Sequence, residues 1–148
     1  MAKVFEDYFS EYQVEMIKAC LKYADDDVDK VFIYGSREGR STAANVFFEV
    51  DGKYYRKHQL DLAGRKCDAS QKRQFACLDA LFDAIFHMEK KCREFDRPMP
   101  TELKIIYDVK KNSVKANYRY DPVYTNDPVK TGNTICDEWF EELKKTEK

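Results

Sequence analysis

The chain has 148 residues, 43% of them apolar and 36% charged, with a formal net charge of −1. That is one domain's worth of sequence, able to bury roughly 68–70% of its unfolded surface without disulfide or metal, and too apolar to be disordered. The near-neutral balance opposes a strongly basic nucleic-acid-binding module, and no stretch approaches the ~20 apolar residues a membrane helix needs.

Phe5 to Ala24 reads as an amphipathic helix. Phe9, Tyr12, Met16 and Cys20 recur at helical spacing, and Val14, Ile17 and Leu21 widen the stripe. The opening residues include Glu6, Asp7 and Glu11 and lack a signal peptide's basic-then-apolar layout, so a cytoplasmic protein is expected. Asp25, Asp26 and Asp27 repel one another and sit badly at the negative end of a helix dipole, which makes them a loop. Val31-Phe32-Ile33-Tyr34, closed by Gly35, reads as a short strand, and Ala43 to Val50 as a second. Asp51-Gly52 then leads into Lys53-Tyr54-Tyr55-Arg56, a strong hairpin signal. Leu60 to Ala69 is polar and loop-like.

Ser70 can cap a second helix running to about Phe95. Phe75, Leu78, Phe82, Ile85 and Cys92 form its apolar stripe, with Leu81 and Met88 beside them. Arg97-Pro98-Met99-Pro100 ends it, because proline lacks the amide donor and constrains its predecessor. Leu103, Ile105, Tyr107 and Val109 alternate with polar neighbours, as do Val114, Ala116, Tyr118 and Tyr120. Opposing Val109 to Val114 across the turn 110–113 puts every one of these residues on one face. Residues 121–132 contain two prolines and no periodicity, and read as a loop. Thr134 can cap a last helix whose inner face carries Cys136, Trp139, Phe140 and Leu143. The order α-β-β-β-α-β-β-α predicts a single α+β domain over 1–148, an antiparallel sheet of about five strands with helices packed on it.

The candidate chemistry is sparse. Gly35-Ser36-Arg37-Glu38-Gly39-Arg40-Ser41 follows a strand, and a nucleotide-binding loop there is the rival, enzymatic reading. A P-loop, however, needs four residues between its glycines, then Lys, then a helix to supply amides. Here the spacer is three, Arg replaces Lys and a strand follows. His58 and His87 lack a recognisable nucleophile context, and neither Cys-x-x-Cys nor His-Glu-x-x-His occurs. Asp79 and Asp83 are four apart on the second helix, where an exposed charged face is the ordinary reading. The five cysteines, Cys20, Cys67, Cys77, Cys92 and Cys136, are odd in number and widely spaced, as expected of reduced thiols. No catalytic, cofactor-binding or metal-ligating residue is expected.

Charge is unevenly distributed. Residues 1–29 sum to −5, residues 30–120 to +7 and residues 121–148 to −3. From Asp121 to Glu142 there are six acids and one base, Lys130, with Tyr124 and Trp139 among them. Carboxylates interleaved with aromatics suit a basic protein partner, since steering and aromatic anchoring act together. Equally, the acids can simply solvate the last helix, and Trp139, placed on its inner face, can be core. The candidate partner-binding residues are Asp121, Tyr124, Asp127, Asp137, Glu138, Glu141 and Glu142.

Several short motifs fall in a familiar order. They are Asp29-Lys30-Val31-Phe32-Ile33-Tyr34, then Met99-Pro100-Thr101-Glu102-Leu103-Lys104-Ile105-Ile106-Tyr107-Asp108, then Ala116-Asn117-Tyr118-Arg119-Tyr120-Asp121, and last Asp137-Glu138-Trp139-Phe140. This layout resembles the YezG-like family of bacterial antitoxin or immunity proteins. The resemblance implies a cytoplasmic protein without catalytic activity that neutralises a cognate toxin, often a nuclease, by binding it. Where that family commonly carries a Trp before the last strand pair, this chain has Arg97-Pro98-Met99-Pro100, and its only Trp is Trp139. Toxin specificity is therefore expected to differ, and no contact residue is transferred.

Overall fold

The computed structural model describes residues 4–38, 41–63, 69–121 and 132–147. Helix α1 spans Phe5–Tyr23, and strands β1, β2 and β3 span Lys30–Glu38, Ser41–Val50 and Lys53–Arg56. A 3-10 helix covers Lys57–Ala63, helix α2 Gln71–Glu94, strands β4 and β5 Glu102–Asp108 and Ser113–Arg119, and helix α3 Gly132–Lys144. The strands form one antiparallel sheet in the order β3-β2-β1-β4-β5. The expected α+β architecture and element order are therefore present, with the 3-10 helix added where a polar loop was expected. Leu60, fully buried, explains that addition by pinning the segment to the core.

The sheet is covered on both faces. On one, Val31, Ile33, Val46, Phe48, Leu103 and Ile105 pack in a single cluster with Met16, Cys20, Leu81, Ile85 and Met88 of α1 and α2. On the other, Phe32, Tyr34 and Phe47 meet Ile135, Cys136 and Phe140 of α3. Central β1 thus reads as a continuous apolar run because neither of its faces meets water.

Local backbone chemistry matches the turns. Asp51 and Gly52 both have positive φ, at 53° and 80°, the geometry of the two-residue hairpin turn that right-handed strand twist favours. Asp25 and Asp26 leave α1 in left-handed conformations, which aspartate tolerates better than most residues. The Asp26 amide donates to the Leu21 carbonyl at 2.8 Å, satisfying one orphan acceptor of the helix end.

Four expectations require correction. First, Gly35 does not close β1, which continues through Ser36 and Glu38, both buried. A Cβ at Gly35 would lie 3.1 Å from Ile85 Cδ1 and 3.2 Å from Leu103 Cδ1, so the glycine is there to let α2 approach the sheet. Second, the β4–β5 register is two residues from that expected: Tyr107 opposes Val114, Ile105 opposes Ala116 and Leu103 opposes Tyr118. A two-residue slip keeps every side chain on its face, so alternation alone does not distinguish the two pairings. Third, α2 buries Cys77, Leu81, Ala84, Ile85, Met88 and Cys92, whereas Phe75 is 60% exposed. The face that packs against α1 and the sheet is centred on Leu81, Ile85 and Met88, which leaves Phe75 on the flank. Fourth, α3 begins at Gly132, so Thr134 lies inside it and is not its cap. Ser70 does sit at the N-cap of α2, although its side chain makes no capping bond.

Two predictions follow from packing. Gly35→Val overfills the α2–sheet contact and is expected to cost about 1–3 kcal/mol, read as a lower urea midpoint at constant slope. Tyr118 Oη is the one buried side-chain oxygen lacking a hydrogen bond among the described residues, and burial pushes its phenol up to about 12. Tyr118→Phe removes an unsatisfied polar group and is expected to be neutral or to raise stability by up to about 1 kcal/mol in the same assay.

Candidate partner-binding site

Helix α3 is built to dock on its inner side and to display charge on its outer side. Its inner residues Trp139 and Phe140 meet the rings of β1 and β2. Phe47 stacks on Phe32 at 4.9 Å between centroids, and Trp139 and Phe140 meet Phe47 edge-on at 5.0 and 5.2 Å. Such edge-to-face pairs contribute roughly 0.5–1.5 kcal/mol beyond their buried area. Trp139 is therefore part of the second core, with Lys104 Nζ 5.1 Å above its ring.

Polar bonds fix the helix at the β3 side. The Arg56 guanidinium donates from Nη1 to Asp137 Oδ1 at 2.6 Å and from Nη2 to Glu141 Oε1 at 2.8 Å. The same group lies 4.2 Å from the centre of the Phe140 ring. Just past α3, Glu147 Oε1 accepts the Tyr54 backbone amide at 2.7 Å, a bond that holds its carboxyl below the usual range. Beside this clamp is a cleft of about 310 Å³ lined by Asn45, Arg56, Lys57, His58, Cys136 and Asp137, among others. Lys57 Nζ donates to Asn45 Oδ1 at 2.9 Å, and burial lowers its ammonium. Burial also pushes the Cys136 thiol up to about 12.

The seven candidate residues fall into different situations. Asp137 and Glu141 are engaged by Arg56 within the chain, though their side chains remain 59% and 56% exposed. Glu138 and Glu142, one turn apart on α3, are exposed. Asp121 is exposed where β5 ends, and its carbonyl accepts from Thr101 Oγ1 at 2.6 Å. Tyr124 and Asp127 lie outside the described residues.

A second polar group escaped sequence reasoning. Glu102, on the α3-facing side of β4, is buried, and its Oε2 accepts from Tyr34 Oη at 2.9 Å. Lys104 and Arg119 approach its Oε1 to 4.0 Å each. Alternation along β4 placed Glu102 on the polar side, and only the covering of that side makes it an interior carboxylate.

Comparison of the sequence with protein-family models gives no match, and comparison with curated proteins gives none either. Among the described residues no helix is long and apolar enough to cross a membrane, and no three His, Cys, Asp or Glu side chains gather as a metal site.

Arg56→Ala removes two charge-assisted bonds to exposed partners and one ring contact. The expected loss is about 1–2 kcal/mol of stability. Amide hydrogen exchange should accelerate in α3 while α1 and α2 keep their protection. Unchanged exchange in α3 would show that the aromatic contacts hold the helix without the clamp.

Proposed function

We propose that the chain is an immunity or antitoxin protein that binds a cognate bacterial toxin, a basic nuclease domain, and neutralises it by covering its nucleic-acid-binding cleft. The observation that carries this reading is the division of labour on α3. Arg56 and the aromatic cluster secure its inner side, while Asp137, Glu138, Glu141 and Glu142 stay exposed on a helix whose only base is Lys144. A docked helix presents those charges with little left to lose in ordering, and preorganisation of that kind favours affinity. The YezG-like order of motifs supports the same reading, in which the protein acts in the cytoplasm of the producing cell.

The mechanism is electrostatic and steric. Exposed carboxylates speed encounter with a basic cleft, and desolvation at contact raises the worth of each close pair to ~1.5–7 kcal/mol from the 0–1 kcal/mol of an exposed pair. No atom of the toxin is transformed in this scheme, so neutralisation is stoichiometric and reversible. The rival reading, a nucleotide loop over 35–41, finds less support. Gly35, Ser36 and Glu38 are buried in β1, and Gly35 serves the approach of Ile85.

Affinity capture from the native cell, with mass spectrometry of the bound protein, identifies the partner. With that partner in hand, Glu138→Lys combined with Glu142→Lys is expected to weaken binding at least ~10-fold, mostly as slower association at low salt. Far-UV circular dichroism and the urea midpoint should be nearly unchanged, because neither side chain is buried. Affinity untouched by the double reversal would move the interface off α3.

A further inference from the structure

The seam between α1 and α2 brings two thiols together. Cys20 of α1 and Cys77 of α2 place their Sγ atoms 3.8 Å apart, within thiol hydrogen-bond range. Cys20 is fully buried, whereas Cys77 is 4% exposed and borders a surface cleft of about 350 Å³. Ala19, Ala76 and Ala80 line that cleft with Lys22, Tyr23 and Arg73. The alanines leave room for a small solute, and the two bases make the rim cationic. Arg73 is held there by the Lys22 carbonyl at 3.0 Å, with Asp25 3.6 Å away.

The two thiols are not equivalent. The close contact with the Cys20 thiol favours ionisation of Cys77, and Lys57 and Arg73 act in the same direction against the opposing cost of burial. Burial, followed by the neighbouring Cys77, holds the Cys20 thiol well above its ordinary value. One sulfur is thus suited to attack and the other to stay protonated until it resolves the product. The remaining described cysteines lack this arrangement. Cys92 Sγ faces Met99 Sδ at 3.8 Å with its thiol raised by burial, and Cys136 is held as a thiol in the second core.

We propose that Cys20 and Cys77 form an oxidant-responsive dithiol, in which a small hydroperoxide entering the cleft oxidises Cys77 and Cys20 then closes a disulfide between the two helices. In the first step the Cys77 thiolate attacks one peroxide oxygen. An S–O bond forms, the O–O bond breaks, and with hydrogen peroxide the leaving hydroxide takes up a proton to become water. In the second step the Cys20 sulfur attacks the sulfenic sulfur of Cys77. An S–S bond forms, the S–O bond breaks, and the hydroxyl departs as water with the Cys20 proton. The two thiols together lose two electrons and the peroxide gains them. Closing from 3.8 Å to the ~2.05 Å of a disulfide takes side-chain rotation and a small approach of α1 to α2.

The test uses the full chain, reduced and then exposed to a molar excess of hydrogen peroxide at neutral pH. Remaining thiols are alkylated under denaturing conditions before digestion and peptide mapping. The expected result is a Cys20–Cys77 linked peptide, a protein mass lower by two hydrogens, and recovery of both thiols with dithiothreitol. Cys20→Ser should leave Cys77 as a sulfenic acid that dimedone traps. If that variant does not fold, the wild-type peptide map still decides. A linked peptide joining Cys77 to Cys67 or to a second chain overturns the proposal. So does full alkylation of Cys20 and Cys77 after the peroxide treatment.

Discussion

Val31, Phe32, Ile33 and Tyr34 are each buried to 3% exposure or less, and this places two separate demands on the rest of the chain. Side chains alternate across a strand, so Val31 and Ile33 need one apolar cover and Phe32 and Tyr34 need another. Residues on both sides of β1 in sequence meet these demands. Helices α1 and α2 cover the first set, and α3, from the far end of the chain, covers the second. Because β1 pairs with β2 on one edge and β4 on the other, it is the strand against which both of these are registered. Gly35 extends the same logic, since the strand must be bare where Ile85 presses on it.

The two covers differ in what they leave for function. The α1–α2 layer is thick and is joined along a seam of small residues that includes Cys20 and Cys77. That close packing is what puts the two sulfurs within reach of each other. The α3 layer is a single helix, and its polar attachment takes two of its four carboxylates as partners of one arginine. Acidic residues that look equivalent in the sequence therefore differ: Asp137 and Glu141 are tied to Arg56 of β3, whereas Glu138 and Glu142 are exposed on the same helix. Glu102 shows a parallel division on β4, where a charged residue at a nominally solvent-facing position becomes an interior acceptor for Tyr34.

Features governed by neighbours in sequence were legible there. The Asp51-Gly52 turn, the aspartate exit from α1 and the inner face of α3 all depend on local conformational preference or helical period. Features governed by distant partners were not. Arg56 lies 81 and 85 residues from Asp137 and Glu141, and nothing in the spacing of either segment announces the fork. The strand-like continuation through Ser36 to Glu38 was hidden by a glycine, because punctuation and close approach call for the same residue. Phe75 was misplaced because helical spacing admits a broad apolar stripe, and only the packing of α2 on its neighbours selects Cys77, Leu81, Ala84, Ile85, Met88 and Cys92 as the buried part of it. The register of β4 and β5 slipped by two for a different reason: period-two alternation is blind to it.

A helix of 13 residues is marginal alone in water, so α3 owes its order to the sheet beneath it. Its outer face is therefore coupled to its inner contacts. A ligand that binds only the docked helix stabilises the docked state by an amount that grows with the logarithm of its concentration over its dissociation constant. Conversely, any loosening of the Arg56 fork or the Phe47 cluster lowers apparent affinity by the fraction of molecules in which the helix is undocked. The outer carboxylates carry no packing duty, so substitution there leaves the core intact. The inner residues carry all of it, so substitution there disturbs fold and recognition together. On this fold, then, separating the two effects depends on choosing Glu138 and Glu142 over Asp137 and Glu141, although all four lie within two turns of one helix.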